Sequence, residues 1–232
     1  MTTPGLHKPQ WKAHRIIPSC FPPVGVYERY YDNAQDLDLA FEIESMTNDR
    51  LLNEAGDIQL VAPEDWVWGP GSTPVMAAFT HLGFGSRFAT DTFGAYYAAS
   101  TLETAIAETV YHKERELAAA NEESIDLTMR CYVNEATSPL HDIRGPEFEH
   151  LHDPSVSQYG KSQAFAAALR AEASWGLVYN SVRHPGGECI AAFKPKAVTI
   201  PVQSDHLMYF YDGEARRITH WAKVTEAHQI LF

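Results

Sequence analysis

Residues 101–120, TLETAIAETVYHKERELAAA, repeat apolar side chains at the helical period. Leu102, Ala105, Ile106, Thr109 and Val110 fall on one face. The segments around this helix follow a different rule. IDLTMRCYV (125–133) alternates as a strand does. GLVYNSV (176–182) and ECIAAFKPKAV (188–198) read as strands joined through Pro185-Gly186-Gly187. LMYFYDGEARRITHW (207–221) reads as a hairpin around Asp212-Gly213, and Tyr96 to Ala99 as a short strand. Further helices are predicted over 36–56, 74–83 and 161–173, with a proline- and glycine-rich loop over 61–74. Helices and strands mix without a βαβ rhythm, which predicts an α+β fold and not a doubly wound parallel sheet.

The chain of 232 residues is long enough for one large domain or two small ones. Residues 1–24, ending in Phe21-Pro22-Pro23, read as an extended lead-in. No apolar run reaches the roughly 18 residues that span a membrane, and the N-terminus has no apolar core of a secretory signal. The formal net charge of −12 argues against a broad grip on nucleic-acid phosphates. An anionic ligand would need a local cluster of arginines. Cys20, Cys131 and Cys189 are odd in number and far apart, which predicts reduced thiols in a cytoplasmic protein.

Local motifs alone select no chemistry. There is no HExxH and no CxxC. Glu108 and His112 are four apart on a helix, but two ligands are not a metal site, and a solvated pair explains them. Gly83-Phe84-Gly85 begins like a dinucleotide fingerprint, yet Phe88 stands where the third glycine belongs. Cys189 follows Glu188 in an apolar strand and reads as a small core residue. Glu108 lies off the apolar face, near Thr101, Thr104, His112 and Arg115, where solvated glutamates are common. Arg87 could dress a loop, Tyr97 could be core, and Ser181 could be a turn residue.

Longer stretches are more specific. GSRFATDTFGAYYAASTLETAIAETVYHKER (85–115), followed by GLVYNSVRHPGGECIAAFKPKAV (176–198), resembles the RES domain. HRIIPSCFPPVGVYE (14–28) and TNDRLLNEAGDIQLVAPEDWVWGPGSTPVMAAFTH (47–81) fit the same family. The resemblance covers nearly the whole chain and implies a single domain, 1–232, with its core over about residues 75–200. It further implies a fold similar to the ADP-ribosyltransferase toxins, NAD+ as substrate with no permanently bound cofactor or metal, and a toxin partnered by an Xre-like helix-turn-helix antitoxin. A homodimer is left open. The family's arginines map on Arg15 and Arg87, its tyrosine on Tyr97, its glutamate on Glu108 and its serine on Ser181. Common members carry Gly-Arg-Trp-Asn where this chain has Gly85-Ser86-Arg87-Phe88-Ala89.

These residue types suit the chemistry the resemblance implies. Breaking the nicotinamide–ribose bond develops an oxocarbenium-like centre, which a carboxylate such as Glu108 can stabilise while holding the ribose hydroxyls. Nicotinamide leaves neutral, so no general acid is needed. Arg15 and Arg87 can grip the pyrophosphate through forked hydrogen bonds. Tyr97 offers a ring to stack on nicotinamide, and Ser181 a neutral polar group with no base in view beside it. Many protein-modifying transferases place a second glutamate two residues before the catalytic one. Here that position is Ile106, which favours phosphate or water as acceptor. Transfer of ADP-ribose to a specific protein is the alternative, and a non-catalytic partner of a DNA-binding antitoxin is the alternative of another class.

Overall fold

Alternating strands and one strongly periodic helix combine here into a single mixed sheet with helices on both faces. The computed structural model describes residues 3–19, 56–83 and 85–225. In chain order the elements are β1 (Leu6–His7), β2 (Ala13–Pro18), α1 (Thr73–Thr80), β3 (Tyr96–Ala99), α2 (Leu102–Ala120), β4 (Ile125–Asn134), β5 (Leu140–Asp142), α3 (Tyr159–Ala171), β6 (Gly176–Asn180), β7 (Glu188–Ala192), β8 (Val202–Asp212) and β9 (Arg217–Val224). Among the described residues the strands form one nine-stranded sheet in the order β1-β5-β6-β7-β3-β2-β4-β8-β9. Only β5 and β6 run parallel; the other neighbours are antiparallel. The fold is α+β, as the irregular rhythm of the sequence predicts.

The period-two alternation sorts the central strands onto two cores. Tyr96 and Ala98, Val178, Ile190 and Ala192 face a core closed by Val75, Met76 and Phe79 of α1 with Ile58 and Trp66. Ala99, Leu177 and Tyr179, Cys189 and Ala191 face the other, closed by Ala105 and Ile106 of α2 and by Ala166 and Leu169 of α3. Ile106 is buried in this second core, so position 106 presents no group to a ligand. Each such aliphatic side chain contributes about 1.5–3 kcal/mol by leaving water.

Several expectations are corrected. The stretch read as an extended lead-in supplies β2, hydrogen-bonded between β3 and β4 in the middle of the sheet. The core therefore extends from Ala13 to Tyr211, beyond the span of about 75–200. The strand expected over 188–198 ends at Ala192, because Pro195 has no amide to donate and starts a 3-10 turn, Pro195–Ala197. The hairpin turns over residues 213–216, where Asp212 Oδ1 accepts from the amides of Glu214 and Ala215. Within the expected loop 61–74, Pro63–Asp65 forms a 3-10 turn and α1 begins at Thr73. The helix expected over 36–56 lies outside the described residues except for Gly56, and Cys20 is outside them too. Cys131 and Cys189 are free and buried, and burial pushes the Cys131 thiol up to about 12.

Candidate active site

Helix α2 begins where the side chain of Thr101 accepts the amide of Thr104 at 3.1 Å, a cap worth about 1 kcal/mol. It ends at Asn121, which turns into the left-handed region at φ 55°. Between these caps the helix packs over β2 and β3. Ala99, Ala105 and Cys189, small residues on the α2 side of the sheet, line the space between sheet and helix. A cavity of about 250 Å3 remains.

Four of the five residues singled out from the sequence line that cavity: Arg15 from β2, Arg87 from the loop before β3, Tyr97 from β3 and Glu108 from α2. The fifth, Ser181, stands behind Glu108. Its hydroxyl donates to Glu108 Oε1 at 2.6 Å. Ser181 Oγ in turn accepts the amides of Arg183 at 3.1 Å and His184 at 3.0 Å. With both lone pairs occupied, the hydroxyl proton has only the carboxylate to go to. The expectation that no base lies beside Ser181 is thus corrected: a carboxylate touches it, and its place is against that carboxylate, not on the wall facing a ligand ring.

The turn carrying Ser181 is seated by close approach. A Cβ at Gly187 would fall 2.6 Å from Thr104 Oγ1 and 2.7 Å from Thr104 Cγ2. Thr104 Oγ1 in turn bonds His184 Nδ1 at 2.8 Å. Gly187→Ala should therefore push the turn off α2 and loosen the Ser181–Glu108 contact. The expected cost is about 1–3 kcal/mol of stability, read in a urea titration, with a loss of activity larger than the stability loss explains.

The arginines are held differently from the simple forked grip expected. Arg87 is 7% exposed and lies over the Tyr159 ring, 4.6 Å from its centroid. Its Nη1 donates to the carbonyls of Leu151 at 3.1 Å and Asp153 at 2.7 Å. Its Nη2 is buried with no hydrogen-bond partner among the described residues. One arm of the fork is thus occupied by the protein and the other is unpaired among the described residues. Arg15 Nη1 donates to the Tyr97 carbonyl at 3.1 Å, and its guanidinium sits 4.7 Å from the Tyr96 ring centroid. Burial lowers the Arg15 pKa from its usual value, so this cation gains from an anion brought beside it.

Ser86, the residue before the motif arginine, pins the tyrosine. Tyr97 Oη shares a hydrogen bond of 2.7 Å with Ser86 Oγ and accepts the Phe88 amide at 2.9 Å. Burial pushes the Tyr97 phenol up to about 12, so it stays neutral. Phe88 packs edge-on to Tyr179, with ring centroids 4.9 Å apart. A second cavity, about 260 Å3, adjoins the first and shares Arg15, Ser86 and Tyr97 with it.

Sequence reasoning overlooked Tyr159, Tyr179 and Thr109 as cavity residues, and weighed His112 only as half of a metal pair. Among the described residues no third metal-ligating side chain joins Glu108 and His112. His112 lines the cavity at its rim and is exposed to solvent. Crowding by protein atoms, and then by the charges of Arg183, Arg115 and Arg87, pushes its imidazole down to about 4. The folded chain thus resists protonating it, so stability is whole above the ordinary value of 6.5 and declines as pH falls toward 4. His112→Gln should flatten that slope between pH 6.5 and 4 in thermal melts. Among the described residues no helix is long and apolar enough to cross a membrane.

Two comparisons with known proteins bear on this site. A family model described as the RES domain matches residues 64–212. Its span holds Arg87, Tyr97, Glu108 and Ser181, while Arg15 lies outside it and reaches the cavity only because β2 is a central strand. The uncharacterized protein y4oC of Sinorhizobium fredii (strain NBRC 101917 / NGR234) is 27% identical over 205 residues, covering 86% of this chain and 83% of that protein.

Proposed function

The chain belongs to the RES domain family, and from that premise we propose that it is the NAD+-cleaving toxin of a toxin–antitoxin pair. The family's setting in toxin–antitoxin systems supports the toxin role. The observation that carries the chemistry is a carboxylate, Glu108, fixed at one oxygen by Ser181 and sharing a cavity with Arg15 and Arg87.

In this reading the cavity under α2 takes the nicotinamide riboside end of NAD+. At about 250 Å3 it is below the roughly 300–1,000 Å3 of whole-ligand pockets, so it suits one end of a dinucleotide. The adjoining cavity beyond Arg15 takes the other end, and Arg15 and the free Nη2 of Arg87 meet the diphosphate between them. Tyr97 presents its ring while Ser86 and the Phe88 amide hold its hydroxyl. The glycosidic C–N bond breaks with its electron pair leaving on nicotinamide, and the ribosyl cation forms beside Glu108 Oε2. Ser181, with its proton committed to Oε1, is a positioning residue that keeps the carboxylate ionised and aimed. An oxygen of water or phosphate then closes on the cation; water gives up a proton to solvent.

Buried Ile106 removes the second glutamate that protein-modifying transferases use, which favours a small acceptor over a protein side chain. A helix-turn-helix antitoxin is the proposed partner, and the charge of −12 leaves DNA contact to it. Induced expression in cells tests the reading. Total NAD+ should collapse before growth stops. A stable NAD+ pool with one discrete protein band labelled from adenine-labelled NAD+ would instead establish protein ADP-ribosylation. A stable pool with no labelled band would overturn the enzymatic reading.

A further inference from the structure

Helix α2 carries more than Glu108 on its polar face. One and two turns further on, His112 and Arg115 follow it. The turn that seats Ser181 sends a third basic side chain, Arg183, to the same place. The Arg183 and Arg115 guanidinium carbons lie 3.3 and 5.7 Å from the centroid of one ring, that of Tyr111. The His112 ring is 5.3 Å from that ring. Arg87, from the loop before β3, lines the same cavity as His112. Among the described residues no carboxylate forms an ion pair with Arg87, Arg115 or Arg183 within 4.0 Å. Arg183 instead donates to the Pro154 carbonyl at 2.5 Å. Glu108, the acid on the same helix face, is engaged by Ser181. Asp153 has one oxygen on the Ser155 amide.

Guanidinium groups gathered with no carboxylate in ion-pair reach raise the free energy of the folded state, and a protein of net charge −12 has acids to spare for neutralising them. A bound anion resolves the repulsion. Two guanidinium groups favour an oxyanion with several acceptor oxygens, and a phosphate group matches both the fork and the charge. We propose that Arg183, Arg115 and His112 form a binding site for a phosphate group at the rim of the cavity, on the α2 side. No α2 residue lines the adjoining cavity beyond Arg15. A dinucleotide laid from Glu108 past Arg15 therefore leaves this site free for inorganic phosphate, placed to attack the ribosyl cation. That last assignment rests on the cleavage reading; the site itself does not. The other source of the same chemistry is the diphosphate of NAD+ itself, bound in the reverse direction.

The experiment uses the purified full chain and observes the His112 ring by NMR, with Glu108, Arg115, Arg183 and Arg87 as the charged groups around it. Saturating inorganic phosphate should raise the His112 pKa by about one unit or more, since an adjacent anion favours imidazolium. Arg115→Gln/Arg183→Gln should abolish this shift while circular dichroism stays native, and Arg115→Gln alone, at an exposed position, should weaken it. The readout needs no turnover, so it stands even if NAD+ is never cleaved. In turnover assays the double variant should raise the KM for phosphate at least tenfold and leave that for NAD+ unchanged. A raised KM for NAD+ alone would keep the phosphate-group site and assign it to the diphosphate. No shift of His112 with phosphate or with NAD+ would overturn the site.

Discussion

Glu108→Gln should abolish nicotinamide release, with at least about a thousandfold loss of kcat. The amide keeps the size and shape of the carboxylate, and its oxygen can still accept the 2.6 Å hydrogen bond from Ser181. What it removes is the negative charge beside the developing ribosyl cation. Glu108 faces the cavity and not the apolar side of α2, so the fold should be untouched and the melting temperature unchanged. A variant that retains growth inhibition and folding would favour the binding-partner reading over catalysis.

Arg87→Met should damage binding and stability together. The guanidinium is buried, and its Nη1 satisfies two carbonyls, those of Leu151 and Asp153. Losing a charged donor to one buried and one half-buried carbonyl costs about 3 kcal/mol, roughly 6–12 °C in melting temperature for a chain of this size. The KM for NAD+ should rise by about two orders of magnitude, since the free Nη2 is the proposed diphosphate contact. Arg87→Lys tests whether charge alone suffices. It restores positive charge but cannot reach two carbonyls and a ligand at once, so it should recover little of either. Unchanged melting with a raised KM would locate Arg87 in binding alone.

The fold was legible where periodicity was strong. The residues of α2 predict their own helix, and the alternation of β4 and β6 predicts strands that the sheet contains. What local pattern did not carry was placement. Ala13–Pro18 reads as extended, but nothing in six residues says that they are flanked by β3 and β4. Pro195 breaks a run whose apolar content continues as a strand would. For the site, Arg15, Arg87, Tyr97, Glu108 and Ser181 were selected through a family resemblance; charge and spacing alone left Glu108 a solvated helix residue, Arg87 a loop residue, Ser181 a turn residue and Tyr97 a core residue. The structure adds what neither source contained. Ser181 serves the carboxylate, one arm of Arg87 is tied to the main chain, and Tyr159, distant in sequence, carries the Arg87 guanidinium on its ring. Such contacts join elements that have no pattern in common, so they emerge only when the sheet is assembled.

The most direct measurement follows NAD+ by proton NMR with purified chain free of any antitoxin, in phosphate buffer and in a phosphate-free one. Free nicotinamide should accumulate with time, faster in phosphate, alongside a phosphorylated ADP-ribose product that is absent without it. Intact NAD+ in both buffers, with a protein that melts cooperatively, would contradict the assignment of Glu108 and the two arginines to cleavage of the nicotinamide–ribose bond.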